Sequence, residues 1–207
     1  LLAGIPSRQA GLIVAGGTLV FGAATVLIVR LRRSRHRPSE GSRPGGTRFY
    51  LAGLGFFTVG IVVGTGLLIG WNEALRLGTP VEVHIHANNW GLFSLVFAGL
   101  LVDFYPAWTG RDLAGPRTVN AIFVMMSLGA LGLVLGPWVG SSWFSVPGLA
   151  LHLASTLWLL ALVGRGRGAL WNRPGMWHIV TSYVWILAPV LAAPFVLAGV
   201  PGVPGAR

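Results

Sequence analysis

Between Glu82 and Asp103 the chain reads VHIHANNWGLFSLVFAGLLV, residues 83–102, which is 20 uncharged positions with a carboxylate at each end. About 20 residues of α-helix cross the hydrocarbon core of a bilayer, so this stretch has the length of one crossing. The same rule read outward from it divides the rest of the chain. Gln9–Val29 gives 21 uncharged residues and Phe49–Asn72 gives 24. Thr118–Gly164 gives 47, which is too long for one crossing, and Gly136, Pro137, Gly140, Ser141, Ser142 and Pro147 break it in the middle as a turn signal. Pro174 onward holds one further helix, ending near Val200 and kinked at Pro189 or Pro194.

The expectation is an all-α integral membrane protein, a bundle of six transmembrane helices over 9–29, 49–72, 83–102, 118–137, 146–164 and 176–200, forming a single domain over residues 1–207. The first window is read as a span because its apolar run is too long for a signal peptide. The chain starts at Leu1 rather than methionine, as a processed or trimmed product would.

Composition agrees. Of the 207 residues 54% are apolar and 10% charged, against about 25% charged in soluble domains, so a water-soluble globule is ruled out. The absence of cysteine excludes disulfide scaffolds and thiolate metal sites. All 15 basic residues are arginine. Seven lie in the loop 30–48, two are Arg111 and Arg117, and three are Arg165, Arg167 and Arg173, all on one side of the bundle. Only Arg8, Arg76 and Arg207 fall on the other side. The positive-inside rule makes the arginine-rich side cytoplasmic and puts both termini outside, in the cell membrane. The basic loop is then a headgroup-facing segment rather than a nucleic-acid patch.

Glycines at four-residue spacing (Gly60 and Gly64, Gly66 and Gly70, Gly132, Gly136 and Gly140) read as close helix packing rather than room for a flat cofactor. Trp71, Trp138 and Trp143 mark the outer membrane interface, and Trp108, Trp171 and Trp177 the inner.

Ionisable groups inside a membrane default to a functional hypothesis. His36 lies in the basic loop. His84 and His86 open the third span, His152 opens the fifth, and His178 opens the sixth at the cytoplasmic end. Spans three and five run in the same direction. At ~1.5 Å per residue, His86 sits roughly 5 Å and His152 roughly 8–9 Å into its span. Two parallel helices that each offer an imidazole near the outer end suit the axial pair of one b-type haem, the iron taking one nitrogen on each face.

Positions i and i+2 point about 200° apart on a helix, so His84 and His86 face different ways unless the turn is unwound. His86 is favoured as the ligand and shares a face with Trp90, Phe93 and Phe97; His84 is the alternate and shares its face with Asn88. Asn88 and Asn89 are candidates to hold an imidazole tautomer. Asp103 and Arg111 suggest an ion pair at the inner surface. A non-haem copper or iron site using His84, His86 and His152 is the competing reading. A third is a cofactor-free anchor or scaffold whose histidines are packing residues. No internal repeat or half-helix signature raises a transporter.

The run HIHANNWGLFSLVFAGLLVDFYP, residues 84–106, resembles the histidine-bearing segment of the haem–copper oxidase subunit I superfamily, and specifically its small subunit-I-like membrane proteins. The resemblance is centred on residues 82–106. It implies a haem-ligand role for His86 or His84 and, by position, for His152. A full oxidase subunit has more helices and more histidine ligands. This chain has no adjacent His-His pair and no His-to-Tyr crosslink pattern, so an oxygen-reducing centre cannot be assembled from it alone. The expected activity is therefore that of a cytochrome b-like subunit. It would hold one haem near the outer leaflet and pass electrons within a respiratory or redox complex. Its partners would be the other subunits, the bilayer and a soluble electron carrier on the outer face, with no nucleic acid.

Overall fold

The computed structural model describes residues 9–34, 45–165 and 174–197. Among these there is no strand, and the helices follow the charge-bounded windows. They are α1 (Ala10–Ser34), α2 (Thr47–Ile69), α3 (Pro80–Thr109), α4 (Pro116–Val139), α5 (Ser142–Gly164) and α6 (Pro174–Leu197). A short 3-10 turn, Trp71–Glu73, lies between α2 and α3. The first five are long and apolar enough to cross a membrane; α6 is helical for 24 residues. The chain is thus a multi-pass membrane protein. His36, Trp171 and the proposed break between Arg30 and Arg48, except at its two ends, lie outside the described residues.

Helix ends follow local chemistry. α3 and α4 each begin with proline at the first helical position, where the missing N–H is not needed. α2, α3 and α4 each end in a left-handed glycine, Gly70, Gly110 and Gly140. Gly70 and Gly140 are therefore helix caps, not the packing residues their spacing suggests. The turn signal after Gly136 is also shorter than the sequence implies. α4 runs on through Pro137, α5 starts at Ser142 and takes in Pro147, and only Gly140 and Ser141 are left between the helices.

α3 is the central helix and packs against α2, α4, α5 and α6, whereas α1 packs mainly against α2. Phe49, Leu95, Ala98, Leu101, Ile122, Met126 and Leu159 belong to the main buried apolar cluster of the bundle. Val124, Leu128 and Leu131 line an exposed apolar stripe of α4, as a face turned to acyl chains would. α4 and α5 approach backbone to backbone. A Cβ on Gly129 would stand 2.6 Å from the His152 nitrogen, and one on Gly148 would stand 2.8 Å from the Leu133 nitrogen.

α3 is not one regular helix. Pro80–His86 is α-helical, Ala87–Phe93 is a π-helix, and Ser94–Thr109 is α-helical again. A π segment carries an extra residue in its turn and appears frequently at functional sites. At its lower end the Ser94 N–H bonds the carbonyl of Asn89, five residues back. The inner end of α3 is held by Asp103, whose carboxylate accepts the Gly46 N–H at 2.8 Å and the Tyr50 hydroxyl at 2.9 Å. Gly46 is the residue before α2, so the anion sits at that helix's N-terminus, where the dipole favours it. The expected pairing of Asp103 with Arg111 is not what the side chain does.

Candidate functional site

Three imidazoles are carried by α3 and α5, and each is tied by Nδ1 to the backbone of another helix. His84 Nδ1 is 2.8 Å from the Gly60 carbonyl of α2, His86 Nδ1 is 2.6 Å from the Leu133 carbonyl of α4, and His152 Nδ1 is 3.2 Å from the Met126 carbonyl of α4. A carbonyl oxygen only accepts, so each Nδ1–H donates, and Nε2 is the ring nitrogen left to present a lone pair. Backbone bonds of this kind fix the tautomer and orientation of metal-ligating histidines.

What differs is the fate of Nε2. His152 is 0% exposed, and its Nε2 accepts the Ser94 hydroxyl at 2.9 Å. His84 lies in a groove over Gly60 and Gly64, with the Asn88 amide 3.5 Å from its Nε2. A Cβ on Gly64 would stand 2.5 Å from the His84 ring, and one on Gly60 would stand 2.7 Å from the Asn88 amide nitrogen. These two glycines therefore make room for side chains. His86 is half-buried, and among the described residues its Nε2 has no hydrogen-bond partner.

The Leu133 carbonyl has a particular reason to receive His86. In an α-helix the oxygen of residue i accepts the N–H of residue i+4, and the residue four after Leu133 is Pro137, which has none. Two further carbonyls at the end of α4 are also taken by the segment leading into α3. The Thr79 N–H bonds the Pro137 oxygen at 3.0 Å, and the Gly78 N–H bonds the Trp138 oxygen at 2.8 Å. The start of α3 is thus stapled to the end of α4.

The sequence-predicted residues divide accordingly. His84 and Asn88 do share a face: Asn88 donates its amide to the His84 carbonyl at 2.8 Å. Asn89 takes part through its backbone. Trp90 is buried between two of the imidazoles, with ring centroids 6.5 Å from His86 and 5.7 Å from His152. Phe93 is 47% exposed and does not continue the wall, because the π segment turns it outward; Phe97 packs on the inner core. His178 is on the exposed surface. Glu82, one turn before His86, accepts the Thr79 hydroxyl at 3.2 Å.

His86 and His152 do not share a level. Their anchoring carbonyls, Leu133 and Met126, are seven residues apart on α4, which at ~1.5 Å per residue is about 10 Å along the helix. Trp90 stands between the rings, and the His152 lone pair is already used. As placed, the two do not fit the opposite faces of a single porphyrin. Nor do His84, His86 and His152 converge, and among the described residues no three histidines, aspartates or glutamates form a metal-holding group.

Sequence reasoning missed the cluster around His152. Ser94, Met126, Thr156 and Tyr183 gather there from four helices, with the Tyr183 hydroxyl 3.5 Å from Thr156 Oγ1 and 3.8 Å from Met126 Sδ. Lone hydroxyls inside apolar runs, and a proline four residues after Leu133, were the available signals.

No family model, curated protein or solved structure matches the chain.

Proposed function

We propose that the chain is a six-span membrane subunit of an electron-transfer complex, with both termini outside, which presents His86 as a single protein ligand to a redox metal group near the outer face. One observation carries this reading. Of the three tethered imidazoles, His86 alone has a fixed Nδ1–H and an Nε2 without a partner among the described residues. That donor fits one side of a haem iron, and it fits copper or non-haem iron equally well by ligand type. The group would supply one-electron chemistry, and the protein would bind, orient and tune it. The resemblance of residues 82–106 to haem–copper oxidase subunit I favours haem. The remaining ligand would come from a partner subunit or from an exogenous molecule.

A second reading has its own observation. His84 and His152 have both ring nitrogens close to groups on the chain, as interhelical fasteners in a cofactor-free scaffold would.

Visible spectra and metal analysis of the purified chain, oxidised and dithionite-reduced, separate the two. The redox reading expects one metal group per chain, lost in His86→Ala and kept in His152→Leu. A chain without haem, copper or iron in the membrane complex supports the scaffold. Equal loss from both variants refutes the assignment to His86.

A further inference from the structure

We propose that Pro137 is the positioning residue for His86, and that it acts by withholding one hydrogen-bond donor. The inference rests on the reading of His86 as the working imidazole only for its functional consequence; the positioning itself is tested separately.

Proline in a helix removes the N–H that the carbonyl four residues earlier would receive, and its ring pushes that carbonyl outward. Inside a membrane a freed carbonyl has no water, and neighbouring helices must satisfy it. Here the freed oxygen is that of Leu133, in the last two turns of α4, and the donor that meets it is His86 Nδ1 at 2.6 Å. His84 and His152 bond carbonyls whose helical donors, Gly64 and Ala130, are present, and their bonds are longer at 2.8 and 3.2 Å. The imidazole with the open Nε2 is thus the one held at a carbonyl whose i+4 backbone donor is missing.

Pro137 then fixes the same helix end a second time. Its own carbonyl accepts the Thr79 N–H at 3.0 Å. Thr79 immediately precedes α3, and His86 lies seven residues further on. The missing Pro137 N–H thus leaves Leu133 to the His86 ring, while the carbonyl of the same residue holds the start of α3. The consequence is a single tautomer, with the Nε2 lone pair aimed away from α4.

Pro137→Ala restores an N–H to Leu133 and makes it compete with the imidazole. With 15N-labelled histidine in the full chain, the ring signals of His86, identified by their loss in His86→Ala, report the tautomer. The parent is expected to show Nδ1–H only. Pro137→Ala is expected to show exchange between tautomers, while the His84 and His152 signals stay fixed and the thermal midpoint does not fall. Where His86 supports a metal, loss of this orienting bond should weaken binding about 10–100-fold. An unchanged His86 tautomer in Pro137→Ala overturns the proposal. If that variant does not fold, the 13C–15N coupling between the Leu133 carbonyl carbon and His86 Nδ1 in the parent decides: a direct coupling is expected, and none overturns it.

Discussion

A carbonyl without its helical donor, and an imidazole on the neighbouring helix that supplies one, mark the scale at which this molecule differs from a generic apolar bundle. Small residues decide which side chains reach such positions. Gly64 faces the His84 ring so closely that a methyl group has no room. Gly64→Ala should therefore push His84 off the Gly60 carbonyl and cost about 1–3 kcal/mol by overpacking, read as a lower thermal midpoint with His86 unchanged. At the inner end, Asp103→Ala removes the acceptor of the Gly46 N–H and the Tyr50 hydroxyl. Loss of a helix N-terminal partner costs about 0.5–2 kcal/mol, and Tyr50→Phe should cost less than Asp103→Ala in the same melt. At this scale the sequence was partly readable. The i, i+4 spacing of His84 and Asn88 implies one face, and they share it. The level of His152 was not readable, because depth counted from a helix start ignores how far neighbouring helices slide past each other. That slide is set by which backbones touch, here Gly129 and Gly148 across α4 and α5.

At the scale of elements, charge-bounded windows located the helices because charges are costly in hydrocarbon and backbone groups there must pair within the segment. They misplaced ends by a few residues where proline was tolerated inside a helix, as at Pro137 and Pro147. The π segment left no mark in composition or periodicity. Its effect is a change of phase: Phe93 turns outward, and Ser94 is buried against His152. Cysteine scanning can check this, since the chain has no native thiol. A label at Phe93→Cys should be reached by a lipid-soluble reagent, and one at Ser94→Cys should not. Unbroken α-periodicity from residue 83 to 105 in such a scan contradicts the π assignment. The same segment explains why Phe93, predicted to flank His86, does not.

For the whole molecule, five uncharged windows, one of them divided by a turn signal, foreshadowed six helices, and their pairing around α3 was beyond reach of the windows alone. The arginine distribution predicts sidedness. Trp143→Cys, at an outer-end position that is 87% exposed, should react with an impermeant thiol reagent added to intact cells. Gly115→Cys, on the arginine-rich side, should react only after permeabilisation; the reverse pattern would invert the assigned orientation.

Of the three tethered imidazoles, His86 alone has a ring nitrogen without a partner among the described residues, and the ring-nitrogen spectrum of the loaded complex tests this most directly. On addition of haem to the purified chain, the His86 Nε2 signal should be the one that shifts or broadens, while those of His84 and His152 keep their metal-free positions. A spectrum in which His152 or His84 responds while His86 stays still would contradict the account.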